Sequence, residues 1–257
     1  MENTALITGA SSGIGMELAK IHAGKGGDLV LVARNIKKLH EIKSEFESNY
    51  HVEVMVIEMD LSRKDAAQEV YNETIAKNIT IEILINNAGF GDYGYFTETD
   101  WYKEYEMIAL NITALTQLTK LYAQDMVANG YGKIMNVASI AAFSPGPKMA
   151  IYYATKAYVL SFSEAIANEL ADQGITVTTL CPGPTDTGFE KVAALDESGL
   201  FQKQKVASAK SVAEYGYDAM MKGKVIAIPG CRNWLMTKLL LFIPRTLVAK
   251  AVRRIQD

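Results

Sequence analysis

Tyr152 and Lys156 stand four residues apart in the stretch IYYATKAYVLSF, Ile151 to Phe162. On an α-helix that spacing puts both side chains on one face, a turn apart. A lysine ammonium beside a phenol stabilises the phenolate and lowers its pKa from about 10. The pair therefore reads as a proton donor and acceptor working near neutral pH. Tyr153, three residues from Lys156, shares a neighbouring face, so helical geometry alone leaves two tyrosines eligible. Tyr158 is two residues away and points elsewhere, as a packing residue.

A second chemical feature lies near the start, where ALITGASSGIGMELA places Gly9, Gly13 and Gly15 between an apolar run and a helical pattern. Small residues there let the backbone turn tightly and approach a phosphate, while the helix N-terminus offers free N–H groups and the positive end of its dipole. The spacing is G-x-x-x-G-x-G rather than the commoner G-x-G-x-x-G. The next apolar run ends LVLVARN, with Ala33 and Arg34 and no acid. A carboxylate at that position would meet a free ribose 2′-hydroxyl, whereas arginine pairs with a 2′-phosphate. NADP(H) is the predicted cofactor.

These residues need a frame. Apolar, Val- and Ile-rich runs at 4–8, 28–33, 52–59, 81–86, 133–139, 175–181 and 224–228 predict strands buried on both faces of a parallel sheet. Helical patterns at 13–25, 35–49, 62–78, 99–129 and 150–173 alternate with them, the third with Ser62 as its expected N-cap. The alternation predicts an α/β chain, a Rossmann-type doubly wound parallel sheet of about seven strands. Residues 1–230 form the dinucleotide-binding and catalytic domain in this reading, and 231–257 a helical extension of it. Ligands bind beyond the carboxyl ends of such strands. The glycine loop, Asn86 to Gly89 (NNAG), Ser139 and Cys181 to Pro184 (CPGP) all fall there, and four such loops on one edge describe a site.

The 257 residues carry a net charge of −3, which gives no reason to expect nucleic acid as partner. Cys181 and Cys231 lack metal-ligand spacing, Cys181 reading as a core thiol, and His22, His40 and His51 lie far apart, so no metal site is predicted. Only Met-Glu-Asn precedes the first apolar run, and the cytoplasm is the expected location.

Taken together, TGASSGIG, NNAG, Asn111, Ser139, YYATK and PGPTDT resemble the short-chain dehydrogenase/reductase superfamily over at least residues 4–189. The family pattern Y-x-x-x-K maps to Tyr152 and Lys156, and Ser139 precedes Tyr152 by the family's usual thirteen residues. The resemblance thus selects Tyr152 over Tyr153. It implies hydride transfer between nicotinamide and a carbonyl or carbinol carbon, with Tyr152 giving a proton to the developing alkoxide and Ser139 hydrogen-bonding that oxygen. Lys156 would hold the nicotinamide ribose and lower the pKa of Tyr152, and Asn111 would position a water that relays protons. For the cofactor it implies Ser11, Ser12 and Ile14 in the glycine loop, Asn35 beside Arg34, and Asp60 and Leu61 near the adenine. Asn87, Ala88 and Gly89 would line the ribose side, and Pro182, Gly183, Thr185 and Thr187 the carboxamide and diphosphate. Family members commonly pair through the two long helices, so a homodimer or homotetramer is expected. The competing reading is a silent NADP(H)-binding regulatory protein of the same fold.

The expected substrate walls are the segment after Ser139, the loop 90–96 and the insertion 184–210. They carry Ile140, Phe143, Phe90, Tyr93, Phe189, Val192, Leu195, Leu200 and Phe201, and suit a lipophilic ketone, steroid or acyl carbonyl. The tail 231–257 joins Trp234, Leu239, Leu240 and Phe242 to six Lys or Arg against one acid, and Pro244 should split it into two helices. Packing onto its own domain or a partner subunit is favoured over peripheral contact with a membrane. The stretch ASIAAFSPGP, 138–147, and this tail resemble the NADP(H)-preferring branch of broad ketone and acyl-chain reductases.

Overall fold

Strands that are apolar at every position need cover on both faces, and here they get it. The computed structural model describes residues 3–188 and 206–256. Its main sheet is formed by β1 (Ala5–Thr8), β2 (Leu29–Ala33), β3 (Val54–Glu58), β4 (Ile83–Asn86), β5 (Gly132–Val137), β6 (Ile175–Leu180) and β9 (Ile226–Ala227). The order is β3-β2-β1-β4-β5-β6-β9, with every pair parallel. The strand order reverses between β1 and β4, and a crevice opens there beyond the carboxyl ends.

Side chains along each strand alternate between the two faces. Ala5, Ile7, Leu29, Leu31, Ile83 and Ile85 pack with α1 (Gly13–Ala23), α2 (Ile36–Tyr50) and α7 (Ala209–Met221). Leu6, Val30, Val32, Leu84 and Ile134 face α3 (Ala66–Ala76), α5 (Leu115–Asn129) and α6 (Ala150–Leu170) on the other side. Both clusters exclude solvent, so the doubly wound architecture follows from the pattern of the sequence.

Three expectations are corrected. Ser62 does not cap a helix: its N–H and hydroxyl both bond Asp60 Oδ1, at 3.0 and 2.7 Å, and α3 begins only after Asp65. A short Asx-type turn at Asp60 competes with helix there and wins. The helix expected over 99–129 is interrupted: α4 (Trp101–Ile108) passes through a π-helical turn, Ala109–Ala114, before α5. The insertion 184–210 contributes two short strands, β7 (Thr185–Asp186) and β8 (Ala207–Ser208), paired in parallel. Its expected wall residues Phe189, Val192, Leu195, Leu200 and Phe201 lie outside the described residues. The tail forms α8 (Cys231–Leu239) and α9 (Arg245–Gln256), separated at Pro244 as anticipated. No helix among the described residues is long and apolar enough to cross a membrane.

Candidate active site

The carboxyl ends of β1, β4, β5 and β6 surround one cavity of about 580 Å³. One end is the glycine loop. Gly9 and Gly13 adopt left-handed φ of +66° and +55°, which glycine reaches without steric cost. Thr8 is buried, and its Oγ1 accepts the N–H groups of Asn87 and Ala88 at 3.0 Å. Asn87 Nδ2 in turn donates to Thr8 O at 2.9 Å and Gly9 O at 3.2 Å. These bonds lash the NNAG loop to the glycine loop. The first turn of α1 faces the cavity with no side-chain cap from Ser12, leaving its leading N–H groups for an anion.

All the expected cofactor residues except Gly15 line this cavity: Ser11, Ser12, Ile14, Arg34, Asn35, Asp60, Leu61, Ala88, Gly89, Pro182, Gly183, Thr185 and Thr187 join those already named. Gly15 lets the two loops approach. A Cβ there would sit 2.5 Å from Gly9 O and against Asn87 Nδ2. Gly15→Ala is therefore expected to destabilise the fold by about 1–3 kcal/mol, the usual cost of overpacking. In a thermal melt that corresponds to a Tm lower by about 2–10 °C for a chain of this size. An unchanged Tm would mean that the two loops part easily.

Arg34 is exposed at the far end, beside Asp60. Burial would raise the Asp60 pKa, but the two bonds from Ser62 and the charges of Arg34 and Arg63 together hold it below the usual carboxylate range. The region offers an exposed arginine in charge contact with Asp60.

At the other end stand the catalytic candidates. Ser139 follows β5 by two residues in extended backbone and caps a short 3-10 turn, its Oγ accepting Ala141 N–H at 3.1 Å. The Ser139 hydroxyl is hydrogen-bonded to the Tyr152 phenol. Lys156 Nζ lies 5.8 Å from the centre of the Tyr152 ring and donates to Val137 O at 2.9 Å. Tyr153 lines the same cavity but is engaged elsewhere. Its ring lies against Gly146, edge-on to Tyr152, and its hydroxyl accepts from Gln256 Nε2 at 3.4 Å. The geometry thus separates two tyrosines that helical spacing could not.

Burial pushes the Tyr152 phenol above its ordinary range, opposed by the Ser139 bond, and lowers Lys156 to about 8. The expected depression of the Tyr152 pKa by Lys156 is not seen. Loss of water around the phenol outweighs a lysine that is itself buried and turned toward a carbonyl. Tyr152 consequently keeps its proton at neutral pH, the form a proton donor needs.

Asn111 sits on the π-helical turn, behind the wall rather than in it. Its Nδ2 donates to Phe90 O at 2.9 Å and Thr155 Oγ1 at 3.1 Å, and its Oδ1 accepts Phe90 N–H at 3.2 Å. Both ends of the amide therefore hold Phe90, and its Nδ2 also ties that loop to Thr155 on α6. A Cβ on Gly89 would lie 2.9 Å from Asn111 Oδ1 and 3.3 Å from Lys156 Nζ, so this glycine keeps open the space where the two meet. That opening, the uncapped α1 N-terminus and the exposed Arg34 fit a phosphorylated dinucleotide.

Phe90, Leu110, Ile140, Ala141, Met149 and Tyr153 line the cavity around Tyr152. Phe143 instead packs with Leu115 and Val159, and Tyr93 packs against Met149 and donates to Gln256 O at 2.8 Å. Tyr158 is not a core residue: it is 38% exposed, stacks on Phe162 and pairs with the Thr116 hydroxyl. Nothing in the sequence announces Met149, Leu110 or Gln256, which come from a loop, a distorted helix and the last described turn. Thr8 and Asn86 had a signal in their positions, each a polar residue ending an apolar strand. Asn86 Nδ2 donates to Thr119 Oγ1 and Asn136 Oδ1, both at 2.9 Å, bracing the sheet below the site.

The fold and this site together define an oxidoreductase acting on CH–OH or C=O groups. Residues 3–198 match the family model of the short chain dehydrogenases, and the chain belongs to that family. An uncharacterized oxidoreductase of Staphylococcus saprophyticus is 33% identical over 186 residues, covering 72% of this chain and 80% of the relative. Among solved structures, a short-chain dehydrogenase from Sphingobium yanoikuyae in complex with NADPH superposes with a TM-score of 0.83 at 32% identity, over 94% of this chain and 96% of that one. The bulky-bulky ketone specific alcohol dehydrogenase from Comamonas testosteroni gives 0.79 at 30% identity, over 95% of each chain.

Proposed function

We propose that this protein is an NADP(H)-dependent oxidoreductase for a lipophilic ketone or the corresponding secondary alcohol, acting in the cytoplasm as a homo-oligomer. The observation that carries the reading is the grouping of Ser139, Tyr152 and Lys156 at the apolar end of a cavity whose other end holds Arg34. The bound dinucleotide would supply the hydride. The substrate oxygen would then lie between the Ser139 and Tyr152 hydroxyls. Ser139 stabilises the negative charge that develops on it, and Tyr152 transfers its proton to complete the alcohol. Lys156, at the floor of the site, would hold the ribose hydroxyls of the bound dinucleotide and offer positive charge beside the phenolate left behind. Asn111 positions the loop that carries Gly89.

The apolar lining between Phe90 and Met149 favours a bulky, uncharged carbonyl compound, in keeping with the ketone preference stated for the Comamonas testosteroni relative. The exposed aromatic residues Trp101, Tyr102 and Tyr105 of α4 suit burial against a second subunit. The test is oxidation of NADPH and of NADH with a panel of bulky aliphatic, aromatic and steroid ketones. NADPH should be preferred. Arg34→Ala should reduce that preference by about 10- to 100-fold, the worth of a charge-assisted contact. Equal use of NADH by the unaltered protein would refute the role of Arg34.

A further inference from the structure

The tail does pack onto its own domain, but only by a narrow seam. Thr237, Val248 and Gln256 are the buried residues of α8 and α9. Outside that seam Trp234, Leu235, Leu239, Leu241, Phe242 and Ile243 are exposed, Leu241 by 72% and Phe242 by 85%. Such concentration of large apolar side chains on a surface marks an interaction site. The same segment carries Arg232, Lys238, Arg245, Lys250, Arg253 and Arg254 and no acid between 231 and 256. Residues 1–230, by contrast, hold 20 Lys and Arg against 28 Asp and Glu.

From this we infer that residues 231–256 seat the protein on an anionic lipid surface, with Leu241 and Phe242 entering the acyl boundary and the flanking cations meeting the headgroups. The placement suits it. The most exposed apolar pair of the tail, Leu241 and Phe242, lies in the break between the two helices, just before Pro244. Leu247, Lys250 and Arg254 follow at helical spacing on one face of α9, away from the seam. Apolar insertion combined with basic attraction is the two-part signal that peripheral binding requires. A twofold contact of the tail with itself is disfavoured, because the same patch would meet itself and set six cations against six.

The seat has a consequence for the cavity. Asn233 packs against Gly183, and Gln256 holds Tyr153, so both ends of the tail are fixed to the cavity rim. A membrane-docked tail would bring the mouth close to the bilayer, where a lipophilic ketone partitions.

The full chain should co-sediment with vesicles of equal parts phosphatidylcholine and phosphatidylglycerol and stay in solution with phosphatidylcholine alone. Binding should weaken strongly between about 0.1 M and about 1 M salt, as the Debye length falls from about 10 to about 3 Å. Leu241→Ser with Phe242→Ser should lower the partition coefficient by about 10-fold or more through lost apolar insertion. Lys238→Glu with Arg245→Glu, which touches no buried group, should lower it by about fivefold or more per site on the anionic vesicles. Circular dichroism checks that both variants fold. The proposal is overturned if the unaltered protein ignores anionic vesicles, or if both variants bind as well as it does. It is equally overturned if sedimentation shows an oligomer that the serine pair disperses while vesicle binding is absent throughout, since the occupant is then a second copy.

Discussion

Tyr152→Phe is expected to lower kcat/KM for ketone reduction by about 10²–10⁴-fold, the range for a positioned general acid, with the Kd for NADPH close to that of the unaltered protein. The substitution removes one hydroxyl and keeps the ring that packs against Tyr153 and faces Lys156. Tyr153→Phe should cost far less, because that hydroxyl is bonded to Gln256, at a long 3.4 Å, rather than to a catalytic candidate. The pH behaviour has a definite sign. Burial keeps the Tyr152 proton on at neutral pH, so reduction is favoured there, and oxidation of an alcohol, which needs the phenolate, should gain as pH rises. If Tyr153→Phe proved the more damaging change, the catalytic assignment would move to the neighbouring residue.

Lys156→Met carries the second large effect. Loss of one preorganised cation and donor should lower kcat/KM by about 10²–10³-fold. A purely structural lysine could also lower activity if removed, so two further readouts matter. Burial lowers the Lys156 pKa from 10.5 to about 8, so its positive charge is present below that pH and lost above it. In the unaltered protein kcat/KM for NADPH, which reports the free enzyme, should decline on an alkaline limb near pH 8, and in Lys156→Met that limb should vanish. Stability should move the opposite way to activity. Charging this buried amine costs the folded state below its folded pKa, and the cost disappears as pH rises toward the unfolded value. The methionine variant should accordingly melt higher at neutral pH while turning over more slowly. A persistent alkaline limb in the variant would assign the titration to another group.

Much of the frame was legible because period and position carry it. Leu29 to Ala33 reads as an interior strand since nothing in LVLVA is polar, and each of its residues is buried. The loops after β1, β4, β5 and β6 announced the site by chemistry that a plain turn does not need. Other features arise only from tertiary competition. The π-turn that carries Asn111 has no local signature in ALNITA and shows itself through the bonds to Phe90 and Thr155. Gly15 reads in sequence as part of a phosphate cradle, and only the fold shows that its missing side chain also makes room for Asn87 and for Gly9 O. Tyr152 and Tyr153 were indistinguishable on a helical wheel. Ser139 distinguishes them, together with a glutamine 103 residues beyond Tyr153. The pKa of Tyr152 could not be read from its lysine neighbour, because burial acts on both groups and the sequence does not display burial at a cavity floor.

Transfer of label from the cofactor to a product tests the catalytic reading most directly. With NADPH deuterated at the transferring position of nicotinamide C4 and a bulky ketone that the protein turns over, the product alcohol should carry one deuterium on its carbinol carbon. With Tyr152→Phe at the same NADPH occupancy, the labelled alcohol should form about 10²–10⁴-fold more slowly. Tight NADPH binding with no labelled alcohol from any ketone of the panel would contradict it, and would identify the protein as a silent dinucleotide-binding member of its family.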